Sequence, residues 1–327
     1  MMSAETVLEV ANLCVGVGAQ GEGASLVRDV SFSMRRGEIV GVVGESGCGK
    51  SMTALAIADL LPVGVTSSAD RLSFEGVDLT TADRRTALRT RGLNQAVVFQ
   101  DPQASLNPAL KLGTQMTEAV MHHQRLPRAS ALRRAAENLS EVKIAGAEQR
   151  LREYPYQLSG GMRQRAMIAM GLMMSPSLLI ADEPTTALDV TVQADVMRML
   201  RRLNAEHETA ILLVSHHIAL LQQVCSRILV MYAGELVEDL PSVSLVKDAR
   251  HPYTRALIAS VPSLAHDPSR RLVTIPGTLP DPGARGDGCP FRNRCNEADE
   301  RCDIAPPLTR AGDHRVACWR AEENAHA

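Results

Sequence analysis

The stretch GESGCGKS, Gly44–Ser51, constrains this chain more than any other. It satisfies G-x-x-x-x-G-K-[ST], and it stands in the setting that pattern needs. The apolar run IVGVV, Ile39–Val43, precedes it, and SMTALAIADLL, rich in helix formers, follows. A strand that turns through glycines into a helix aims backbone N–H groups and the positive helix end at one spot, which is where phosphate oxygens bind. The residues expected to form this cradle are Gly44, Glu45, Ser46, Gly47, Cys48, Gly49, Lys50, Ser51 and Met52. Lys50 is expected to reach the β- and γ-phosphates, and Ser51 to ligate Mg2+. Cys48 sits where small residues are tolerated and reads as structural.

Around this loop, short β-branched apolar runs alternate with helical patterns up to about Asp239. The strand-like runs are Ile39–Val43, Ala96–Phe99, Ser177–Ala181, Ala210–Val214 and Arg227–Tyr232. Near-continuous apolarity suits strands of a sheet covered on both faces, and strand–helix alternation predicts α/β architecture. Between Gln100 and Gln157 the pattern turns helical and polar, which predicts an inserted helical subdomain over about 101–157. Aromatics are only 3% of the chain against 45% hydrophobic residues, so the core must be aliphatic. The net charge of −2 supplies no basic field for nucleic acid. The pairs Arg84–Arg85 and Arg133–Arg134 read as solvated helix faces.

Two further motifs narrow the chemistry. LLIADE, Leu178–Glu183, is an apolar strand ending in two carboxylates. Asp182 is placed to hold Mg2+, and Glu183 to polarise an attacking water as general base. LSGGMRQR, Leu158–Arg165, opens another helix with a serine and two glycines. Ser159, Gly160 and Gly161 thus form a second anion cradle. One nucleotide does not need two cradles in one subunit, so two subunits packed head to tail are expected, each cradle over the other's γ-phosphate.

These motifs, in this order, resemble the ATP-binding subunits of ABC transporters, over Leu8 to about Glu238. The resemblance implies a P-loop ABC ATPase: a RecA-like core with an antiparallel β subdomain and the helical insertion. It assigns Gln100 to the glutamine loop that senses Mg2+ and faces the membrane partner. Thr186–Asp189 match the loop between subunits, with Asp189 near the nucleotide, and His216 matches the switch histidine on the γ-phosphate. Two positions depart from the family pattern. No aromatic precedes Phe32, and Val17 stands where an adenine-stacking ring is usual; His217 stands where an aspartate is common.

DPQASLNP (Asp101–Pro108), HPYTRALIASVP (His251–Pro262) and IPGTLPDPGAR (Ile275–Arg285) resemble one branch, the ATPases of dipeptide, oligopeptide and nickel importers. That branch implies two transmembrane permeases, an extracytoplasmic solute-binding protein acting indirectly, and a second ATPase, a paralogue of this one. Peptide is the leading cargo and nickel or another small solute the alternative. The expected location is the cytoplasmic face of the membrane, since no basic-then-apolar leader opens MMSAETVLEV and the longest uncharged run, Ala166–Ala181, contains Pro176. A non-transport ABC ATPase is a rival reading, but the Gln100–Gln157 interval is too short for the coiled coils of repair-type members. A regulator that hydrolyses nothing is a second rival, and the presence of Glu183 and His216 argues against it.

The expected domains are an ABC nucleotide-binding domain over 1–240 and a loop-rich extension over 241–327. Ten of the 17 prolines fall from Pro241 onward, and four of the seven cysteines fall in the extension. Their spacing is Cys289-x5-Cys295-x6-Cys302-x15-Cys318. Zinc sites usually show C-x2-4-C pairs, which are absent here, and a reducing compartment disfavours disulfides. Longer, uneven gaps fit a 4Fe–4S cluster better, with Arg292, Arg294 and Arg301 to offset its charge. The branch's tail carries such a cluster in some members; zinc and no metal remain the alternatives. Cys14, Cys48 and Cys225 read as small fillers.

Overall fold

The computed structural model describes residues 5–18, 23–186, 189–261, 274–283 and 285–321. The first sheet is antiparallel. It holds β1 (Thr6–Val17), β2 (Ser25–Arg35), β4 (Val65–Ser68), β5 (Arg71–Phe74) and β6 (Val77–Asp78), in the order β2-β1-β5-β6 with β4 beside β1. The second sheet, among the described residues, has eight strands in the order β12-β13-β11-β10-β3-β9-β8-β7, where β11 is Glu235–Pro241, β12 Thr309–Ala311 and β13 His314–Val316. Its parallel part is β3 (Ile39–Val43), β7 (Gln95–Val98), β8 (Leu178–Asp182), β9 (Ala210–Val214) and β10 (Arg227–Tyr232).

The five apolar runs expected as strands are this parallel core. β3, β8 and β9 are buried at every position, as strands covered on both faces must be. Alternation divides their side chains between two layers. Val40, Val42, Ile180 and Leu212 pack with Leu8, Val10, Phe32 and Phe74 under the antiparallel sheet. Ile39, Val43, Leu179, Ala181 and Leu213 face the helical side. Two strands are shifted by a residue at both ends. β7 starts at Gln95 and leaves out Phe99, and β8 starts at Leu178 and extends to Asp182, which carries that carboxylate to the strand end.

Helices cover the other side, α1 excepted: α1 (Lys50–Ala58) follows the phosphate loop and packs Ala54, Ala56 and Ile57 into the layer under the antiparallel sheet. α2 (Arg84–Asn94) is capped by Asp83, whose side chain accepts from the N–H groups of Arg85 and Thr86. Arg84 and Arg85 are exposed, as solvated charges should be. Between β7 and β8 come α3 (Pro102–Ser105), α4 (Leu112–His123), α5 (Arg128–Glu141), α6 (Ala147–Arg150) and α7 (Gly160–Leu172). In α5 the buried residues are Ala131, Ala135 and Leu139, a four-residue repeat that turns one face inward. α8 (Val190–His207), α9 (Ile218–Val224), α10 (Leu245–Asp248) and α11 (Pro252–Ala259) complete the helices. Among the described residues no helix is long and apolar enough to cross a membrane.

The residues after 240 are mostly irregular, as their prolines predict, but they are not separate from the rest. β11 (Glu235–Pro241) pairs with β13 (His314–Val316), which pairs with β12 (Thr309–Ala311), so the core sheet continues into the C-terminal segment. Tyr253, Leu257 and Phe291 join the same core cluster as Ile39 and Val230.

Candidate nucleotide site

The loop between β3 and α1 is shaped by its neighbours. A Cβ on Gly44 would lie 2.2 Å from the Met231 carbonyl oxygen, so only glycine fits there. Gly49 starts α1 with φ +100°, and a Cβ there would stand 3.0 Å from the Leu26 carbonyl oxygen. Lys50 is 5% exposed, and its ammonium donates to the carbonyls of Gly44 and Glu45, both at 2.9 Å.

The next residue, Ser51, connects the loop to β8. Its hydroxyl donates to Asp182 Oδ1 at 3.0 Å. Burial raises the Asp182 pKa; the Ser51 hydroxyl opposes that rise, and the adjacent Glu183 charge adds to it. A hydroxyl, a carboxylate and, at Gln100, an amide oxygen form a hard-oxygen donor set, which fits Mg2+.

Glu183 follows β8 in the left-handed region, with φ +45°, an uncommon conformation for a residue with a side chain. Its carboxylate accepts from Gln100 Nε2 at 3.2 Å and from the Thr186 hydroxyl at 2.8 Å, and His216 Nδ1 lies 3.1 Å away. Burial pushes its pKa up, but the Thr186 and His216 contacts outweigh it and hold the carboxyl below its ordinary value. His217 packs on His216 with ring centroids 4.0 Å apart; burial and the neighbouring ring lower its pKa.

A cavity of ≈ 450 Å³ is lined by Leu26, Ser46, Gly47, Gly49, Lys50, Ser51, Met52, Gln100, Glu183 and His216, with Asp182 behind Ser51 and outside the lining. The three residues proposed for catalysis therefore meet most of the loop in one place. Gly44, Glu45 and Cys48 do not line it. Cys48 is fully buried beneath the loop, and Glu45 is turned toward the C-terminal segment. Val17 does not line it either, and Leu26 is the aliphatic residue at its wall.

The second cradle lies elsewhere. Ser159 caps α7, its Oγ accepting from the Met162 N–H at 3.3 Å, and Ser159 and Gly160 are exposed. Neither they nor Gly161 line the Lys50 cavity. Asp189 caps α8 by accepting from the Val192 N–H at 2.9 Å. Ala187 and Leu188, in the Thr186–Asp189 stretch, lie outside the described residues, as do Pro262 and Ala284 in the two C-terminal motifs.

The four clustered cysteines are free thiols. Cys289 N–H donates to the Cys302 carbonyl at 2.9 Å, which closes the segment on itself. The N–H groups of Phe291, Glu297 and Arg320, each two residues on, favour the thiolates of Cys289, Cys295 and Cys318. Burial dominates and raises all three, Cys289 to about 11, and neighbouring thiols add to the rise. The segment thus gathers soft sulfur donors of the kind zinc or a cluster takes, while their burial opposes the thiolate form that ligation needs. The arginines expected to offset a cluster's charge are engaged by carboxylates instead: Arg292 by Asp303, Arg294 by Glu45 and Arg301 by Asp299.

Sequence reasoning placed Thr186 in the loop between subunits, Arg294 beside the cysteines and Tyr253 in a branch motif, and gave Leu26 no role; it missed that Thr186 holds Glu183 and that the other three reach the phosphate loop or its cavity. Thr186 had a local signal, lying three residues after Glu183. The other three had none, because they reach the loop from distant parts of the chain.

Two family models match: ABC transporter over residues 27–186, and oligopeptide/dipeptide transporter, C-terminal region, over 237–302. The chain is 41% identical to the probable D,D-dipeptide transport ATP-binding protein DdpD of Escherichia coli, covering 98% of both chains. It is 40% identical to the oligopeptide transport ATP-binding protein OppD of Salmonella typhimurium, covering 98% of this chain and 95% of that one. Among solved structures, the ATP-binding cassette MJ0796 bound to ADP and Pi, a post-hydrolysis dimer, superposes with a TM-score of 0.63 at 26% identity. It covers 72% of this chain and 98% of its own. The CbiO1 subunit of the Clostridium perfringens CbiONQ transporter gives 0.62 at 25% identity, over 73% of this chain and 89% of that one.

Proposed function

The chain belongs to the ABC transporter ATPases, in the branch carrying the oligopeptide/dipeptide transporter C-terminal region, and we propose that it hydrolyses ATP to power import of di- and oligopeptides. The observation that carries the chemistry is Glu183, held by Gln100, Thr186 and His216 at the mouth of the Lys50–Ser51 loop. The near full-length likeness to peptide-transport ATPases carries the cargo.

In this reading Lys50 and the loop N–H groups bind the β- and γ-phosphates, and Ser51, Asp182 and Gln100 would hold Mg2+. The metal, when bound, neutralises charge on the phosphates. Glu183 orients the attacking water and draws on its proton, with His216 fixing the carboxylate and facing the γ-phosphate. Ser159–Gly161 serve the nucleotide of a partner ATPase, which accounts for their exposure away from the Lys50 cavity. ATP then joins the two subunits and its hydrolysis lets them part. The helices after Gln100 carry that movement to two membrane permeases, placing this subunit on the cytoplasmic face of the membrane. A paralogous ATPase and an extracytoplasmic binding protein complete the assembly.

The cysteine set is assigned to a 4Fe–4S cluster, with zinc as the alternative. Zinc thiolates at ~2.3 Å require sulfurs about 3.8 Å apart. Among the described residues, no three of these sulfurs lie within 4.8 Å of one another. The long, uneven gaps Cys289-x5-Cys295-x6-Cys302-x15-Cys318, without a C-x2-4-C pair, are what supports the cluster over zinc.

Uptake of labelled di- and tripeptides by vesicles carrying the assembled transporter tests the function. ATP-driven peptide uptake that disappears with Lys50→Ala is expected. ATP-driven uptake of nickel with none of peptide would assign the other cargo.

A further inference from the structure

Glu45 places a carboxylate on a loop that binds an anion. Left free, that charge would repel a triphosphate. Both of its oxygens are instead taken by one guanidinium. Arg294 Nη1 lies 2.6 Å from Glu45 Oε2, and Nη2 lies 3.0 Å from Oε1, a two-bond fork of the strongest kind. The Arg294 side chain is 5% exposed and that of Glu45 30%, so the pair is shielded from water on the arginine side and partly open on the carboxylate side. Its Nε donates to the Pro276 carbonyl at 2.7 Å, and its guanidinium stands 5.7 Å from the centre of the Tyr232 ring.

The backbone of Glu45 is held as well. Its N–H donates to the Tyr253 hydroxyl at 2.9 Å. Tyr253 belongs to α11, and Arg294 to the 3-10 turn Arg292–Arg294, between Cys289 and Cys295. The rings of Tyr232, Tyr253 and Phe291 pack with centroids 4.7, 5.2 and 5.4 Å apart, which seats both residues against the sheet beside the loop. Lys50, the phosphate-binding cation, donates to the carbonyl of this same Glu45.

We propose that Arg294 is a positioning residue for the nucleotide site: by neutralising and anchoring Glu45, the C-terminal segment holds the phosphate loop ready for a nucleoside triphosphate. The inference rests on the nucleotide site proposed above. Arg294 touches no substrate in this scheme and acts only through Glu45. A plain tail-to-core staple would alter melting temperature and leave ATP affinity alone, so affinity is the discriminating readout.

The test uses the full chain, with Mg2+ and a fluorescent ATP analogue for affinity, and the assembled transporter for turnover. Lys50→Ala abolishes binding if the site is assigned correctly; wild-type affinity in that variant would refute the site itself, independently of Arg294. Arg294→Ala raises Kd and the KM for ATP about tenfold, with kcat at saturating ATP within about twofold. Arg294→Lys, which keeps the charge but loses the fork, recovers part of the affinity. Adding Glu45→Gln to Arg294→Ala restores affinity to within about threefold of wild type, because the unneutralised charge is gone. Wild-type Kd and KM in Arg294→Ala, or a loss that Glu45→Gln does not relieve, overturns the proposal. If Arg294→Ala does not fold, Arg294→Lys decides: its affinity must fall while its melting temperature stays within a few degrees of wild type.

Discussion

Replacing Glu183 by glutamine removes one function of this side chain and keeps its shape. In the wild type the carboxylate accepts from Gln100 at 3.2 Å and Thr186 at 2.8 Å and meets His216 at 3.1 Å. The glutamine amide oxygen still accepts from the Thr186 hydroxyl, and the left-handed backbone at this position is as open to glutamine as to glutamate. What is lost is the negative charge and the proton acceptor. General-base assistance is typically worth ~10²–10⁴-fold, which is about 2.7–5.4 kcal/mol of barrier. ATP affinity should hold within about threefold or tighten, since one anion beside the triphosphate has gone. Phosphate release by the assembled transporter measures the first quantity, and analogue titration of the full chain the second. Turnover within about tenfold of wild type would refute the role of Glu183. The pH profile adds a check on sign. Because its contacts hold the Glu183 pKa below the ordinary value, the carboxylate is ionised throughout the neutral range. Glu183 should therefore put no acid limb on the wild-type rate between pH 6 and 9.

Gly160→Asp places a carboxylate in the exposed first turn of α7, where an added Cβ meets nothing within 4 Å. The chain should fold and bind ATP as before, while turnover of the assembled transporter falls by about 100-fold or more, as measured by phosphate release. His251 is buried and held neutral, its pKa lowered to about 4 mainly by burial. The unfolded chain gains a proton near pH 6.5 and the folded chain only near 4, so stability present at neutral pH is lost as pH falls between them. Urea melts at pH 7 and 4.5 should differ by about 2–3 kcal/mol from this group. His251→Asn, which keeps an N-cap acceptor for Tyr253, should remove that part of the difference. Anaerobic purification should yield a coloured protein containing iron, lost when Cys295 and Cys302 are changed to serine; a colourless protein with one zinc would reverse the metal assignment.

The sequence was most legible where the chemistry is local. The phosphate loop, the five apolar strands and the carboxylates closing β8 all announce themselves within a few residues, because strand period, glycine tolerance and helix entry are short-range properties. Legibility fell where partners are remote. Ser51 and Asp182 are 131 positions apart, Glu45 and Tyr253 208, and Glu45 and Arg294 249. Composition marked the C-terminal segment as proline-rich and separate, yet β13 extends the core sheet and Phe291 enters the core. The antiparallel strands of the first sheet were not read individually, since their half-buried, interrupted patterns carry a weaker signal than the continuous parallel runs.

By itself, then, the sequence determined the strand–loop–helix with its phosphate-cradle pattern and the carboxylates that close β8, since those features are written in neighbouring residues. Only the tertiary structure decided which distant side chains steady that loop. Sheet packing brings α11 and the cysteine-rich turn to Glu45, and no periodicity along the chain records where two surfaces will meet.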